Sequence, residues 1–383
     1  MRIVFNTDSL IMGGAEKLAL QYVTYLSKNF EVILLINEDN GDDGNALIDK
    51  IPQGVKFYYV VDKKIIEKIN KYRELKGRNF LYKLPYSYYL KQKRKNYRKN
   101  IRKILNNMEY DILIDFSCKI PEDIVDRRTL SWLHTSISKL KKKKEMTKKF
   151  KKNKKTIVIT KNMRKQFREQ FPGIFNVELL YNPFNIEHIK KMSLDKTISV
   201  QDNKLLKCDY ILSCSRLDKN KDLETLILAY NNIKEKIKEK LYLIGDGPER
   251  ENLEKMVREL KLGDRVIFLG TRFNPYIWMR RARLFVHSSK EEGFGMVIVE
   301  ALINSCVVVA TDCPVGPSEI LENGKYGILT PVGEVKKMEE NILLGLTNQR
   351  LRKKLILGSQ ERIKKFSDEE IFRQFKNIIL SEE

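Results

Sequence analysis

The feature that most constrains the fold of this chain is an alternation of strands and helices that opens each half of the sequence. The first half begins with an apolar strand at residues 3–5 and a glycine turn at Gly13-Gly14. An amphipathic helix over 15–28 and a second apolar strand over 32–36 follow. Short apolar strands between amphipathic helices are typical of parallel sheets covered on both faces. The sequence therefore predicts an α/β fold of the doubly wound kind.

The second half repeats this alternation, and the 383 residues are enough for two separate cores. Its predicted strands lie at 210–213, 241–244, 266–269, 284–287 and 307–310. Proline and asparagine interrupt the pattern at 181–185, so we place the domain boundary there. The predicted domains are 1–185 and 186–366. Ser367 and Glu370 form a capping box for a last helix, within 367–383, that joins the first domain.

Positive charge is concentrated in the first half of the chain. Residues 1–185 carry 39 lysines and arginines against 20 acidic residues, whereas residues 186–383 carry 34 against 30. The excess lies at 63–103 and 139–155, where aromatic residues are interleaved with the cations of the first stretch. Such a surface suits an anionic membrane or a nucleic acid, and a solvated lysine-rich face is the alternative. Because no helix-turn-helix, zinc or aromatic RNA-binding signature is present, we expect a membrane and no nucleic acid.

The sequence contains no recognisable membrane-spanning segment, signal peptide or metal-binding motif. No apolar run approaches the roughly 20 residues of a spanning helix, and the first residues predict a strand instead of a signal peptide. We therefore expect a cytoplasmic protein attached peripherally to the inner face of the cell membrane. The five cysteines and three histidines show no zinc or redox spacing. We expect no cofactor and no metal requirement.

A glycine-rich segment between a strand and a helix carries the clearest chemical signal. In Glu292-Gly293-Phe294-Gly295, the glycines precede an apolar helix whose free N–H groups can hold a phosphate or sugar hydroxyls. Glu300 lies eight positions after Glu292 and interrupts that apolar helix. A carboxylate there suits acceptance from ribose hydroxyls. The alternative is a surface Glu300 and a Glu292 favoured by the helix dipole.

Three further positions are candidates for binding an anionic donor. Arg216 and Lys221 follow the strand at 210–213, where they can neutralise a diphosphate leaving group without a metal. His134 ends the strand at 130–134, on the cleft side of a doubly wound sheet. The alternative for Arg216 and Lys221 is that both are solvated surface cations, and the alternative for His134 is a core histidine. The glycine turn at Gly13-Gly14 can likewise be a plain turn between a strand and a helix.

Together these motifs resemble those of the retaining family 4 glycosyltransferases of GT-B fold. The resemblance covers nearly the whole second half and the first thirty residues, and it is slight between 60 and 160. It is carried by the paired glutamates with the intervening Gly-Phe-Gly and by these further segments, in the family's order: Gly13-Gly14-Ala15-Glu16, Ser215-Arg216-Leu217 with Lys221, Gly245-Asp246-Gly247-Pro248, Phe268-Leu269-Gly270 and Gly316-Pro317-Ser318-Glu319-Ile320.

The resemblance implies two Rossmann-like domains that face each other across a cleft. It implies transfer of a hexose, with retention, from a nucleoside diphosphate sugar to a glycan or lipid-linked acceptor in bacterial surface-glycan synthesis. The Gly-Pro-Ser-Glu-Ile segment favours a UDP-sugar. The implied catalytic residues are Glu292, His134, Arg216 and Lys221, and the implied donor-binding residues are Gly14, Arg216, Lys221, Gly293, Phe294, Gly295 and Glu300.

Other activities share this fold. GT-B proteins include epimerases and phosphorylases, and the fold by itself does not decide between them. A phosphorylase would need a pyridoxal lysine, and an epimerase would release sugar without an acceptor. A nucleic-acid-binding protein is the alternative from a different class, favoured by the basic first half alone.

Overall fold

The computed structural model describes residues 1–11, 13–41, 44–140, 142–195, 197 and 199–381. Lys141, in the basic stretch 139–155, lies outside the described residues. The chain divides into two compact units. The first consists of Met1–Ile159, Arg164–Leu180 and the segment that begins at Phe375, and the second consists of Thr160–Met163 and Tyr181–Gln374.

The first unit is built on a parallel sheet. Within the described residues its seven strands are β1 (Arg2–Thr7), β2 (Glu31–Glu38), β3 (Lys56–Val61), β4 (Ile112–Asp115), β5 (Thr129–Leu133), β6 (Lys155–Val158) and β7 (Val177–Leu179). Their order is β3-β2-β1-β4-β5-β6-β7. The winding direction reverses between β1 and β4, which makes this the switch point where ligands bind in open α/β sheets.

Helices cover this sheet, and an aromatic cluster fills its core. The helices are α1 (Gly14–Leu26), α2 (Lys63–Arg78), α3 (Lys83–Asn106), α4 (Lys143–Lys152) and α5 (Lys161–Gln170). Trp132 of β5 is fully buried and packs edge-on against Tyr22, with ring centroids 4.6 Å apart. Phe375 from the C-terminal segment lies 5.0 Å from Tyr22 and 5.4 Å from Trp132. The C-terminal segment therefore contributes to the core of the first unit.

The two basic stretches fold differently from one another. Residues 63–103, predicted only as a basic segment, lie in the two helices α2 and α3 and in the short turn 79–82 that joins them. In the stretch 139–155, Lys149 is 2% exposed and pairs with the buried Asp115. Lys149 is therefore part of the interior and adds nothing to the surface charge.

The second unit repeats the architecture. In the part of this unit that the structure describes, the six parallel strands are β8 (Tyr210–Cys214), β9 (Lys240–Ile244), β10 (Val266–Gly270), β11 (Leu284–His287), β12 (Val308–Thr311) and β13 (Ile328–Thr330). Their order is β10-β9-β8-β11-β12-β13, so the switch point lies between β8 and β11. Strands β8, β11 and β12 are almost wholly buried, as expected for a sheet covered on both faces.

Helices also cover the second sheet. They are α6 (Ile186–Ser193), α7 (Val200–Leu206), α8 (Leu223–Ile233), α9 (Arg250–Glu259), α10 (Tyr276–Arg281), α11 (Met296–Ile303), α12 (Pro317–Ile320), α13 (Val335–Thr347) and α14 (Gln349–Arg362). The last helix, α15 (Asp368–Leu380), begins in the second unit and belongs to the first unit from Phe375 onward. Half of the predicted capping box of α15 is present, because Glu370 N donates to Ser367 Oγ at 3.4 Å. The reciprocal bond is replaced, since Ser367 N donates to the carbonyl of Lys364 and the Glu370 carboxylate pairs with Arg373. Among the described residues, no helix combines the length and the apolar character that crossing a bilayer requires.

Candidate functional site

The switch point of the second sheet brings predicted site residues from two separate loops to one edge. Strands β8 and β11 pair in parallel, with Phe285 opposite Leu212. The loop after β8 carries Arg216 and Lys221, and the loop after β11 leads through Glu292 into α11. Since the carboxyl ends of parallel strands meet at one edge, these loops border the crevice where a ligand binds in this kind of fold.

Lys221 and Glu292 form a largely buried ion pair in that crevice. The Nζ of Lys221 lies 2.6 Å from Oε1 of Glu292, and their side chains are 20% and 12% exposed. Ser289 Oγ donates to the same oxygen at 2.8 Å, and Nε2 of His287 lies 2.9 Å from it. One carboxylate oxygen therefore receives a cation, a hydroxyl and an imidazole.

This surrounding keeps Glu292 ionised. Burial would raise the pKa of Glu292, but its interactions with the neighbouring His287 and with the ammonium of Lys221 lower it to about 2. At neutral pH the side chain is a carboxylate and carries no proton to donate. Its contribution to chemistry is therefore negative charge and the orientation of Lys221.

Further hydrogen bonds tie the two loops together. Ser288 Oγ donates to the carbonyl of Lys221 at 2.7 Å, and Asn220 Nδ2 donates to the carbonyl of Glu291 at 2.8 Å. Lys290 N donates to the carbonyl of Asn220 at 2.8 Å. Because these bonds cross between the loops, the position of Lys221 depends on the conformation of the segment that carries Glu292.

Two glycines shape the turn before α11, one within the turn and one that packs against it from the start of α12. Gly295 has φ +93° and caps the helix, and Gly316 has φ +100°. A Cβ on Gly316 would lie 2.0 Å from the carbonyl oxygen of Phe294, so only glycine allows this approach. Phe294 is 3% exposed, and its ring lies 5.8 Å from that of Phe366 and 6.3 Å from that of Phe184. The side chain of Phe294 thus anchors the turn, which leaves its backbone as the part that a ligand could contact.

Glu300 lies in the second turn of α11 and contacts a tyrosine that the sequence analysis missed. The side chains of Glu300 and Tyr276 share a hydrogen bond. Burial raises the pKa of Tyr276, and the negative charge of Glu300 raises it further, so the neutral phenol donates to the carboxylate. No motif in the sequence marks Tyr276, because it reaches Glu300 from the separate helix α10.

Arg216 is arranged differently from Lys221, although both were predicted as cations of one clamp. Its side chain is 73% exposed, and its Nε lies 4.0 Å from Oδ2 of Asp218. An ion pair of this length at the surface contributes little to stability. The guanidinium is therefore accessible to a ligand, whereas the ammonium of Lys221 is already paired.

In the first unit, Gly14 follows the predicted turn. Gly13 caps α1 with an extended backbone, and Gly14 is the first helical residue. A Cβ added to Gly14 would meet nothing within 4 Å, so packing does not require glycine at this position. The absence of a side chain leaves open space beside the N-terminus of α1.

His134 follows β5 and has a neutral imidazole at physiological pH. Its ring centroid lies 4.3 Å from that of Phe116, and its plane is parallel to that of Trp132 at 5.8 Å. Burial lowers the pKa of His134 to about 4. A hydrogen bond with the backbone of Phe116 and the negative charge of Asp8 raise this pKa, but by less than burial lowers it. Among the residues that the structure describes, its buried Nε2 has no hydrogen-bond partner. A buried polar atom of this kind is costly, and a ligand hydroxyl could satisfy it.

Two aspartates at the carboxyl edge of the first sheet are each paired with a lysine. Asp8 Oδ2 lies 2.5 Å from Nζ of Lys119, and its Oδ1 accepts from Asn37 at 3.1 Å. Asp115 pairs with Lys149 at 2.5 Å, and both side chains are buried. In the described part of the chain, no group of three or more acidic, cysteine or histidine residues could hold a metal ion.

The second unit contains a match to a known family, and the site residues of that unit lie inside it. Residues 195–362 match the family of glycosyl transferases group 1. The segment includes Arg216, Lys221 and the stretch from Glu292 to Glu300, whereas Gly14 and His134 lie outside it.

Bacterial glycosyltransferases are similar to part of the chain. The chain is 33% identical over 203 residues to the Campylobacter jejuni N-acetylgalactosamine-N,N'-diacetylbacillosaminyl-diphospho-undecaprenol 4-alpha-N-acetylgalactosaminyltransferase. The aligned region covers 53% of each protein. It is 28% identical over 206 residues to the Staphylococcus aureus poly(ribitol-phosphate) alpha-N-acetylglucosaminyltransferase, covering 53% of this chain and 41% of that protein. The chain thus spans about half the length of these relatives.

Solved structures agree with the whole fold. Anabaena HepE, crystallised with UDP and glucose, superposes with a TM-score of 0.73 over 98% of each chain at 20% identity. An S. aureus TarM variant superposes with a TM-score of 0.72 over 99% of this chain and 100% of that one at 17% identity. The expected pair of Rossmann-like α/β domains of the GT-B fold is confirmed.

Proposed function

We propose that this protein is a glycosyltransferase that moves a hexose from a nucleoside diphosphate sugar to an acceptor hydroxyl. The observation that carries the proposal is the cluster of Lys221, Glu292, His287 and Ser289 at the switch point of the second sheet, inside the family match. The bacterial relatives, which are named as glycosyltransferases, support it.

In this proposal the second unit binds the donor. Glu300 accepts hydrogen bonds from the ribose, and the backbone from Gly293 to Gly295 faces the sugar at the start of α11. Arg216, which is exposed, meets the diphosphate directly. Lys221 exchanges part of its interaction with Glu292 for the β-phosphate as negative charge develops on the leaving group.

We also propose that the anomeric configuration is retained. In a front-face reaction the leaving phosphate accepts the proton of the attacking hydroxyl, so no enzyme carboxylate acts as nucleophile. The pairing of Asp8 and Asp115 with lysines is in keeping with this, because a paired carboxylate is a weaker nucleophile. The neutral His134 would bind a sugar hydroxyl through Nε2, and Gly14 would admit the donor to the backbone of α1.

The donor is proposed to be a UDP-sugar and the acceptor a glycan or a lipid-linked sugar of the bacterial surface. HepE was crystallised with UDP and glucose, and the Campylobacter relative is named for a diphospho-undecaprenol acceptor. Because Arg216 and Lys221 supply the positive charge that a metal would otherwise supply, we propose that neither a metal nor another cofactor is needed. Full activity in excess chelator would agree with this.

An anionic membrane surface at the inner face of the cell membrane is the third proposed partner, through residues 63–103 and 139–155. Each exposed cation near such a surface contributes about 1 kcal/mol. Co-sedimentation with anionic vesicles should weaken as salt rises, and charge reversal of Lys142, Lys143 and Lys144 should weaken it further. Retention in the supernatant at low salt would remove the membrane from the proposal.

The donor proposal is tested by a thermal-shift screen of nucleoside diphosphates and their sugars, followed by hydrolysis of the best donor without acceptor. A stabilisation by UDP that Arg216→Ala reduces and the neighbouring Lys219→Ala preserves is the expected result. NMR of the glycosidic product then reads the anomeric configuration directly. Stabilisation by DNA with no response to any nucleotide would favour the nucleic-acid alternative, and release of free sugar with altered configuration at a ring carbon would favour an epimerase.

A further inference from the structure

Helices α2 and α3 pack against each other as a hairpin with an inner and an outer half. The inner half is anchored by Ile66 and Ile69 of α2 and by Ile101 and Leu105 of α3, each at most 5% exposed. Between residues 70 and 100, none of the side chains that the structure describes is buried. The outer half therefore lies outside the core of the first unit.

The turn between these helices presents large apolar side chains. Phe80, Leu81 and Leu84 are 79%, 62% and 79% exposed. Within the turn, Asn79 Oδ1 accepts a hydrogen bond from Leu81 N at 3.0 Å. Single exposed apolar residues are common on protein surfaces, but a contiguous group marks an interaction site. We call Phe80, Leu81 and Leu84 the hairpin tip.

Tyrosines form a layer next to the hairpin tip. Tyr72 of α2 stacks on Tyr89 of α3 with centroids 5.5 Å apart, and Tyr88 meets Tyr89 edge-on at 5.3 Å. Lys76 Nζ lies 4.5 Å from the ring centre of Tyr86. Rings with a polar hydroxyl are enriched at headgroup depth, where one end is apolar and the other hydrated.

The charge of the hairpin distinguishes between two partners that could cover its apolar tip, a second copy of this chain and a lipid surface. Residues 63–103 contain sixteen lysines and arginines against two glutamates. A second copy of this chain would bring the same charge to the contact, and like charges would oppose it. Anionic lipid phosphates have the opposite sign. The charge therefore favours a lipid surface over self-association.

We propose that the hairpin tip inserts into the acyl boundary of an anionic bilayer, with the tyrosine layer at the headgroups and the cations on the phosphates. The inference rests on the membrane attachment proposed above, and it adds an apolar anchor to an electrostatic contact. Salt screens charges but does not weaken apolar burial. Binding should therefore retain a component that high salt does not remove.

The first experiment compares vesicle binding by the full chain and by Phe80→Ser/Leu81→Ser/Leu84→Ser. Vesicles of phosphatidylcholine with phosphatidylglycerol are used at low and high salt. We expect the partition coefficient of the triple variant to fall at least about tenfold at both salt concentrations, since each buried apolar side chain alone accounts for about that factor. The matched control is Phe175→Ser/Leu357→Ser, at side chains 84% and 75% exposed, which should bind as the parent does. Equal binding by the triple variant and the parent at high salt would overturn the proposal.

The second experiment measures depth. Both native tryptophans, Trp132 and Trp278, are at most 2% exposed, so Phe80→Trp adds a reporter against a shielded background. Lipids brominated on the acyl chain should quench Phe80→Trp and leave the control Phe175→Trp unquenched. An unquenched Phe80→Trp on bound protein contradicts insertion. A dimer in light scattering that the triple variant dissociates, with vesicle binding unchanged, would identify a second copy as the occupant instead.

The two proposals fail separately in these assays. The UDP thermal shift of the triple variant should equal that of the parent, because the tip is assigned to the membrane and not to the donor. Loss of vesicle binding with a normal UDP response therefore supports the tip proposal alone. Absence of any nucleotide response in the parent would remove the proposed transferase function, and the vesicle and quenching results would still decide the insertion.

Discussion

Glu292→Gln should destabilise the second unit through the loss of one charge. Glutamine keeps the shape of the side chain and can still accept from Ser289, but it no longer attracts Lys221 or His287. The pKa of Glu292 falls from 4.5 to about 2 on folding. At about 1.36 kcal/mol per pKa unit this corresponds to roughly 3 kcal/mol of unfolding free energy. Since the carboxylate side chain is only 12% exposed, solvent screening removes little of that amount.

The contribution depends on pH in a defined direction. The folded pKa of Glu292 lies below the unfolded one, so the stabilisation is fully present above pH 4.5 and is lost as the pH falls towards about 2. The parent and Glu292→Gln should therefore differ most at neutral pH and converge in acid. A shift of this size in a unit of about 200 residues corresponds to a difference in melting temperature of about 6–12 °C at pH 7.

The measurement needs a signal from one unit. Trp278 lies in the second unit and Trp132 in the first, so a Trp132→Phe background reports the second unit by fluorescence. Urea unfolding in that background at pH 7, 5 and 3 gives the difference between parent and variant. The control is Glu291→Gln, a change at the exposed neighbouring glutamate. A difference that stays constant from pH 7 to pH 3 would show that the charge of Glu292 is not the cause.

Three further outcomes are expected. Glu300→Gln should weaken UDP binding by roughly 1.5–3 kcal/mol in calorimetry, with an unchanged melting temperature, through loss of a charged hydrogen bond; unaltered affinity would exclude a ribose contact. Arg216→Ala should lower kcat by a larger factor than it raises the UDP dissociation constant, because diphosphate charge grows in the transition state, and Lys219→Ala should change neither. Lys149→Met should destabilise the first unit by about 3–5 kcal/mol in urea unfolding, because it leaves Asp115 buried and unpaired, whereas the exposed Lys151→Met should cost little.

The strands were predictable because their signal is local. Buried parallel strands appear as apolar runs, and β8 lies at Tyr210–Cys214 where the sequence predicted 210–213. Short edge strands carry a weaker signal. β7 (Val177–Leu179) and β13 (Ile328–Thr330) have three residues each and were not predicted. In both, pairing with a neighbouring strand supplies the stabilisation that three residues cannot provide alone.

The hairpin of α2 and α3 was missed for a different reason. A helix is recognised by an apolar stripe that faces a core, and this segment buries apolar residues only near its two ends, at Ile66 and Ile69 and at Ile101 and Leu105. Between them no described residue is fully buried, and the partly buried side chains, such as the stacked Tyr72 and Tyr89, are tyrosines, so no apolar stripe of helical period is visible. The lysines and tyrosines of this segment therefore predicted a basic insertion and no particular helix.

The contacts between site residues that are distant in sequence could not be predicted from the sequence. The sequence predicted separate roles for these two residues, phosphate binding for Lys221 and placement of the sugar for Glu292. In the structure they are joined by a hydrogen bond, although they lie 71 residues apart in sequence. A phosphate that recruits Lys221 must compete with this carboxylate. The carboxylate does not thereby lose its charge, because His287 and Ser289 contact the same oxygen. The same pair can therefore hold the cation in place before a donor binds and release part of its charge to the donor afterwards, which the motif spacing by itself does not reveal.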